Sequence, residues 1–255
     1  MELAPQWEIE TVLAALRSKK RLQLAQFIED RYETRFFEPI CLLEKEAIRG
    51  IPWKLGDPDP TEPIRPYGFA IMSLACQMVE TLESYRLGVP TTNKGDFGKI
   101  EHDGNYSHRP TEVDCDEADI LGTGEAFKSF FETHRKEFLG INGAEFYANV
   151  RNALLHQSQT RNGLVINIHH PEEVSPKADE VFADKILYRD SFVRTLRACF
   201  ETFLRDLREN PANDDKWKMP ERKIWWIAWL SDSDSVLKWT KQEAGAVGPN
   251  NANGT

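Results

Sequence analysis

No stretch of the sequence approaches the roughly 18 consecutive apolar residues that a membrane span requires. Its first twenty residues mix Glu, Trp, Arg and Lys where a secretory segment would carry an apolar core. The expectation is a chain with no membrane partner. Cysteine is scarce, with four residues at 41, 76, 115 and 199, and no two form a CxxC unit. Cys41, Cys76 and Cys199 fall in apolar helical patterns, where a free thiol behaves as a small buried hydrophobe. That argues against a disulfide framework or a zinc site and gives a cytoplasmic expectation. Positive charge is in the minority: 32 Lys and Arg face 41 Asp and Glu, for a net charge of −9. A passive nucleic-acid coat is disfavoured, because phosphate binding draws on Lys and Arg. An enzyme touching RNA through a local basic patch is still allowed. No P-loop, GxSxG or GxGxxG pattern occurs, so ATP, acyl-transfer and dinucleotide chemistry lack support, and no cofactor is expected.

What is present is a helical core in the making. Hydrophobic residues make up 40% of the chain, with 14 Phe and 7 Trp, enough for a sizeable interior. Residues 7–49 repeat apolar side chains at three-to-four spacing, with a break near 17–20 and a kink expected at Pro39. Five prolines at 52, 58, 60, 63 and 66 predict an extended connection. A strong helix follows over 67–87, ended by Gly88 and Pro90. Residues 88–122 read as a long polar loop, and 123–139 as a Phe-rich helix stopped by Gly140. The β-branched, alternating segment from 164 to 169, partnered by 185–188, predicts a small β-hairpin insertion at about 164–188. An amphipathic helix is expected over 190–209, a further helix over 219–230, and a flexible tail over 242–255. With no internal repeat, the expectation is a single mainly α domain over 1–241, a helical bundle with core 67–210.

The helix over 143–157 carries the chemistry. At about 100° per residue, Phe146, Ala153 and Leu154 fall within about 60° of Val150 and make a core face. Arg151 and His156 then flank a polar groove, with Asn152 a direct neighbour of His156 four residues on. Leu155 is apolar on this polar face, and a second subunit is the simplest cover for it. Such a set suits RNA transesterification, in which the ribose 2′-OH attacks the adjacent phosphate and leaves a 2′,3′-cyclic phosphate and a 5′-OH. His156 supplies acid–base catalysis near neutral pH. Arg151 supplies a permanently charged, bidentate clamp for the phosphate. Asn152 orients His156 or holds a phosphate oxygen. No metal is needed.

The run Val-Arg-Asn-Ala-Leu-Leu-His-Gln, followed by Thr-Arg-Asn-Gly and a short strand, resembles the HEPN domain superfamily, whose signature is Arg, a polar residue and His on a long bundle helix. The resemblance covers residues 67–210 and is sharp over 146–163. It implies a HEPN-like helical bundle, a metal-independent endoribonuclease of the Arg-x4-His type, and a composite site formed by a homodimer with Arg151, Asn152 and His156 as active residues. It also implies a toxin or antiviral-defence role, with an antitoxin or regulatory protein as partner. Ser158 stands where some members carry Tyr, which loosens the tie to toxins paired with nucleotidyltransferase antitoxins. Family members often set an acid on an early helix beside the Arg–His pair; Glu80 or Glu83 can fill that place and tune His156. The alternative is a non-catalytic HEPN-like interaction module that binds a partner protein or a nucleotide.

Three further features have plainer readings. Arg194, Arg197, Arg205 and Arg208 share one face of the helix over 190–209, with Glu201 among them. They are candidate RNA-backbone contacts, although such charge runs are more often solvated faces. The loop over 101–119 holds His102, His108 and several acids, but its spacing matches no EF-hand and no HExxH motif. Trp225, Trp226 and Trp229 fit core or interface better than base stacking.

Overall fold

The computed structural model describes residues 2–48, 67–89, 122–157, 160–167, 181–183 and 185–231. The described chain is mainly helical. It opens on a two-residue turn between strands β1 (Glu2–Ala4) and β2 (Trp7–Glu8), which the sequence pattern did not announce. Helices α1 (Ile9–Arg17) and α2 (Arg21–Tyr32) follow. The expected break between them is a left-handed cap: Lys19 takes φ 48°, and Lys20 N–H reaches back to Ala15 C=O at 2.9 Å. That bond satisfies a carbonyl the ending helix would otherwise orphan. Beyond α2 the chain widens into a π-turn, Glu33–Phe37, before α3 (Glu38–Ile48). Pro39 lacks a donor and crowds the carbonyl four residues back, and the wide turn in front of it absorbs both.

α4 (Gly68–Leu87) is the central helix, ended as expected at Gly88 with φ 66°. α5 (Thr123–Thr133) stops earlier than the pattern predicts. Residues 134–140 become turns that swing Phe138 into the core, where it is 1% exposed. The motif helix runs over 143–157 as α6 (Gly143–Phe146), a π-turn (Tyr147–Arg151) and α7 (Asn152–Gln157). Strands β3 (Val165–Asn167), β4 (Phe182–Ala183) and β5 (Ile186–Tyr188) precede α8 (Arg189–Glu209). α9 (Asp214–Ser231) begins five residues before the expected 219, capped by Asn213, whose Oδ1 accepts Lys216 N–H at 3.2 Å. Pro220 sits inside it.

The hairpin expectation needs one correction. Residues 165–167 do pair with 186–188, but in parallel register, Val165 opposite Ile186 and Asn167 opposite Tyr188. The antiparallel hairpin is the tighter β4–β5 unit, with Phe182 opposite Leu187 and Lys185 at φ 65° in its turn. The long connection between β3 and β4 permits a parallel crossover that a short hairpin loop would forbid.

The elements share one core. Its densest part is a ring cluster of Phe127, Phe130, Phe131, Phe138, Phe146 and Phe192, in which Phe146 stacks on Phe192 at 5.3 Å and 8°. Truncating a buried Phe of this kind costs about 3–5 kcal/mol. The cluster fixes the motif helix to α5 and α8. No helix among the described residues is long and apolar enough to cross a membrane.

Candidate functional site

The motif helix is seated by three local devices. Asn142 caps its start, with Oδ1 accepting Ala144 N–H at 3.0 Å and Glu145 N–H at 3.1 Å. Such a cap is worth about 1 kcal/mol. Gly143 lies against α5 so closely that a Cβ there would stand 2.6 Å from Phe127 O and 2.7 Å from Lys128 Cα. Only glycine lets the two backbones meet. Phe146, Val150, Ala153 and Leu154 then face inward at 4% exposure or less, the face that the wheel predicts. The turn after the helix is tied back to it. Arg161 N–H donates to Asn149 C=O at 3.1 Å, and Asn162 Nδ2 to Asn149 Oδ1 at 2.9 Å.

Arg151 ends the π-turn. A π-turn holds one residue more than an α-turn and re-aims the side chains that follow, a feature common at functional sites. Across from it, α4 presents Glu80. Arg151 Nε donates to Glu80 Oε1 at 2.7 Å and Nη2 to Oε2 at 3.4 Å, a fork against a fork. Nη1 donates to Asn152 Oδ1 at 3.1 Å. The guanidinium lies 5.6 Å from the Tyr147 ring centroid, within cation–π range. Both partners are mostly shielded, with side-chain exposures of 19% for Arg151 and 15% for Glu80. Cys76, one turn before Glu80, lines the inner side; burial, and then the Glu80 carboxylate, push its thiol well above the ordinary range.

The arrangement leaves usable chemistry. A guanidinium has five N–H donors in a fixed plane. Glu80 and Asn152 engage three of them, so one hydrogen on Nη1 and one on Nη2 remain for a third group. With its Oδ1 turned to Arg151, Asn152 keeps its Nδ2 donors for the same group. Guanidinium and amide donors of this kind bind oxyanions.

The other sequence candidates fall in different places. Glu83 does not join Arg151. It is fully buried and forked to Arg86, at 2.9 Å to Nε and 2.6 Å to Nη2, and Arg86 also reaches Ser129. His156 is a residue of α7, but its side chain lies outside the described residues, as do the side chains of Leu155 and Gln157. On α8, Arg197 binds Glu33 at 2.8 Å and Glu201 at 3.1 Å, and lies 4.4 Å from the Phe37 ring centroid. Arg208 forks to Glu29 at 2.6 Å and 3.2 Å. Arg194 and Arg205 donate to Ser191 and Thr202, each at 3.3 Å. Arg197 and Arg208 are therefore tied to the π-turn and α2. Trp226 is 1% exposed, and Trp225 packs against the core. The loop over 101–119 and Cys115 lie outside the described residues. Among the described residues, no three His, Cys, Asp or Glu side chains are grouped to hold a metal.

Sequence reasoning missed Tyr147 and Cys76 as parts of this site. The only trace of each is spacing: Tyr147 precedes Arg151 by four residues, and Cys76 precedes Glu80 by four, so each pair shares a helix face. Comparison of the chain with protein-family models, curated proteins and solved structures finds no match.

Proposed function

We propose that the chain is a HEPN-type, metal-independent endoribonuclease that cleaves RNA by 2′-OH transesterification, at a site completed by a second copy of itself. The observation that carries this reading is the forked Arg151–Glu80 pair at the end of the π-turn. An acid from an earlier helix beside the motif arginine is what the HEPN resemblance implies, and of the two candidates Glu80 is the one in contact. The pair holds the guanidinium plane rigid while leaving an edge for phosphate. Preorganised donors of this kind stabilise charge that grows in the transition state without reorganising at the moment of reaction.

In the reaction, Arg151 neutralises the extra negative charge on the phosphorane. Asn152 donates to a phosphate oxygen. His156 accepts the 2′-OH proton and returns a proton to the departing 5′ oxygen, two steps that a group titrating near neutrality can perform. Leu155 belongs to the contact between the two copies. The biological setting that fits such an enzyme is a toxin or antiviral-defence effector, held by an antitoxin or regulatory protein and acting in the cytoplasm.

The test is cleavage of a mixed-sequence RNA by the purified full chain and by His156→Ala. The expected result is loss of about 10³-fold or more in the variant, the usual scale for an acid–base group acting with its partners. Its circular dichroism and melting temperature should stay unchanged. Equal cleavage by the two proteins contradicts the reading and leaves the partner-binding module in its place.

A further inference from the structure

Two residues before Arg151, Asn149 lines a cavity of about 300 Å³ that the catalytic set leaves unused. The floor is apolar, made by Ile141, Phe146, Leu164 and Phe182. Phe182 is held over Gly140, where even a Cβ would lie 3.7 Å from its ring; the left-handed backbone there, φ 80°, favours glycine.

The rim is polar, and its hydrogen-bonding sense is set by bonds already made. Asn142 commits Oδ1 to the α6 cap and so turns its Nδ2 donors outward. Asn149 commits Oδ1 to Asn162 and likewise presents Nδ2. Glu145 adds a carboxylate, and Arg161 and Lys185 add cations, to the same lining. The volume lies at the small end of ligand pockets. A ligand that satisfies this lining has a flat apolar body and acceptors along one edge. It also needs N–H donors for a carboxylate, and a negative group for the two cations.

A nucleotide has that shape, and among the bases guanine matches best. Its O6 and N7 accept hydrogen bonds, and its N1–H and N2–H₂ donate to a carboxylate. Adenine puts a donor where guanine has O6 and lacks the N–H pair. Uracil and cytosine fill less of the floor. We propose that this pocket takes the base of a nucleotide, guanine before the other three. Its use in cleavage rests on the ribonuclease reading; the binding does not.

Titration of the full chain with the four nucleoside 5′-monophosphates tests the pocket without any cleavage. Guanosine monophosphate should bind about tenfold or more tighter than the adenosine form, as one bidentate base contact implies. Glu145→Gln, at an exposed position, should bring that ratio near one. Leu164→Trp, which fills the floor, should abolish binding of all four. Equal affinities in the wild type, or a guanosine preference that survives Glu145→Gln, overturn the proposal. So does binding unaffected by a folded Leu164→Trp; should that variant misfold, the Glu145→Gln ratio decides alone. Guanosine monophosphate binding by a chain that cleaves no RNA upholds the pocket and removes the ribonuclease. RNA cleavage without nucleotide preference removes the pocket and keeps the ribonuclease.

Discussion

Arg151 and Arg208 each fork to a glutamate of a neighbouring helix, with shortest contacts of 2.7 Å and 2.6 Å. Distance does not separate them, but surroundings do. The Arg151 and Glu80 side chains are 19% and 15% exposed, whereas Arg208 and Glu29 are 37% and 32%. Arg151 has Tyr147 within cation–π range and Asn152 as a third partner, and Cys76 lies on the inner side of the pair. Arg208 adds the exposed side chain of Gln26. Shielding raises the strength of a charge–charge contact and lowers its sensitivity to salt. The first arginine is held in one plane with donors to spare, and the second is a strut between α8 and α2. Net charge or a count of arginines would rank the α8 face above the lone Arg151. The contacts reverse that order.

The largest expected effect is at Arg151. Arg151→Ala should lower RNA cleavage about 10³-fold, as removal of a preorganised charge donor does. It should also lower stability by about 1–3 kcal/mol, because Glu80 is left shielded and short of a partner. Arg151→Lys should restore stability more than activity, since an ammonium cannot reproduce the fork. Full activity in Arg151→Lys would mean that charge alone matters and that the fork is incidental.

Next in size is Glu80→Gln. The amide keeps the shape and one acceptor but loses the charge that aligns the guanidinium. Cleavage should fall about 10- to 100-fold, in the range for residues that orient an active group. A rise in activity would show instead that Glu80 competes with the substrate phosphate for Arg151.

The smallest effect is expected on α8. Arg197→Ala with Arg208→Ala should change unfolding free energy by about 1 kcal/mol or less per pair, as exposed ion pairs do. Cleavage kinetics should stay within about threefold on the same grounds. A larger kinetic loss, together with a weaker dependence of RNA binding on salt, would make this face the backbone-tracking surface that its sequence spacing allows.

The sequence made parts of this picture legible and hid others for physical reasons. The inward face of the motif helix follows from periodicity alone, because Phe146, Val150, Ala153 and Leu154 repeat on one side. The choice between Glu80 and Glu83 does not. Three residues apart, they differ by about 60° on the wheel, and which one meets Arg151 depends on how α4 is rolled against its neighbours. Gly143 looks like any glycine after a loop until α5 is seen lying against it. The π-turn has no local code, since it is a hydrogen-bond shift that packing selects. The parallel pairing of β3 with β5 is hidden because two short apolar segments with a gap look the same in either direction.

If Arg151, Asn152 and His156 cleave RNA without a metal, as proposed, the ends of the products carry the signature. RNA treated with the full chain in excess EDTA should yield fragments ending in 2′,3′-cyclic phosphate and beginning with 5′-OH. Neither Arg151→Ala nor His156→Ala should yield them. Fragments with 3′-OH and 5′-phosphate ends, or cleavage that stops when divalent ions are removed, would contradict the account.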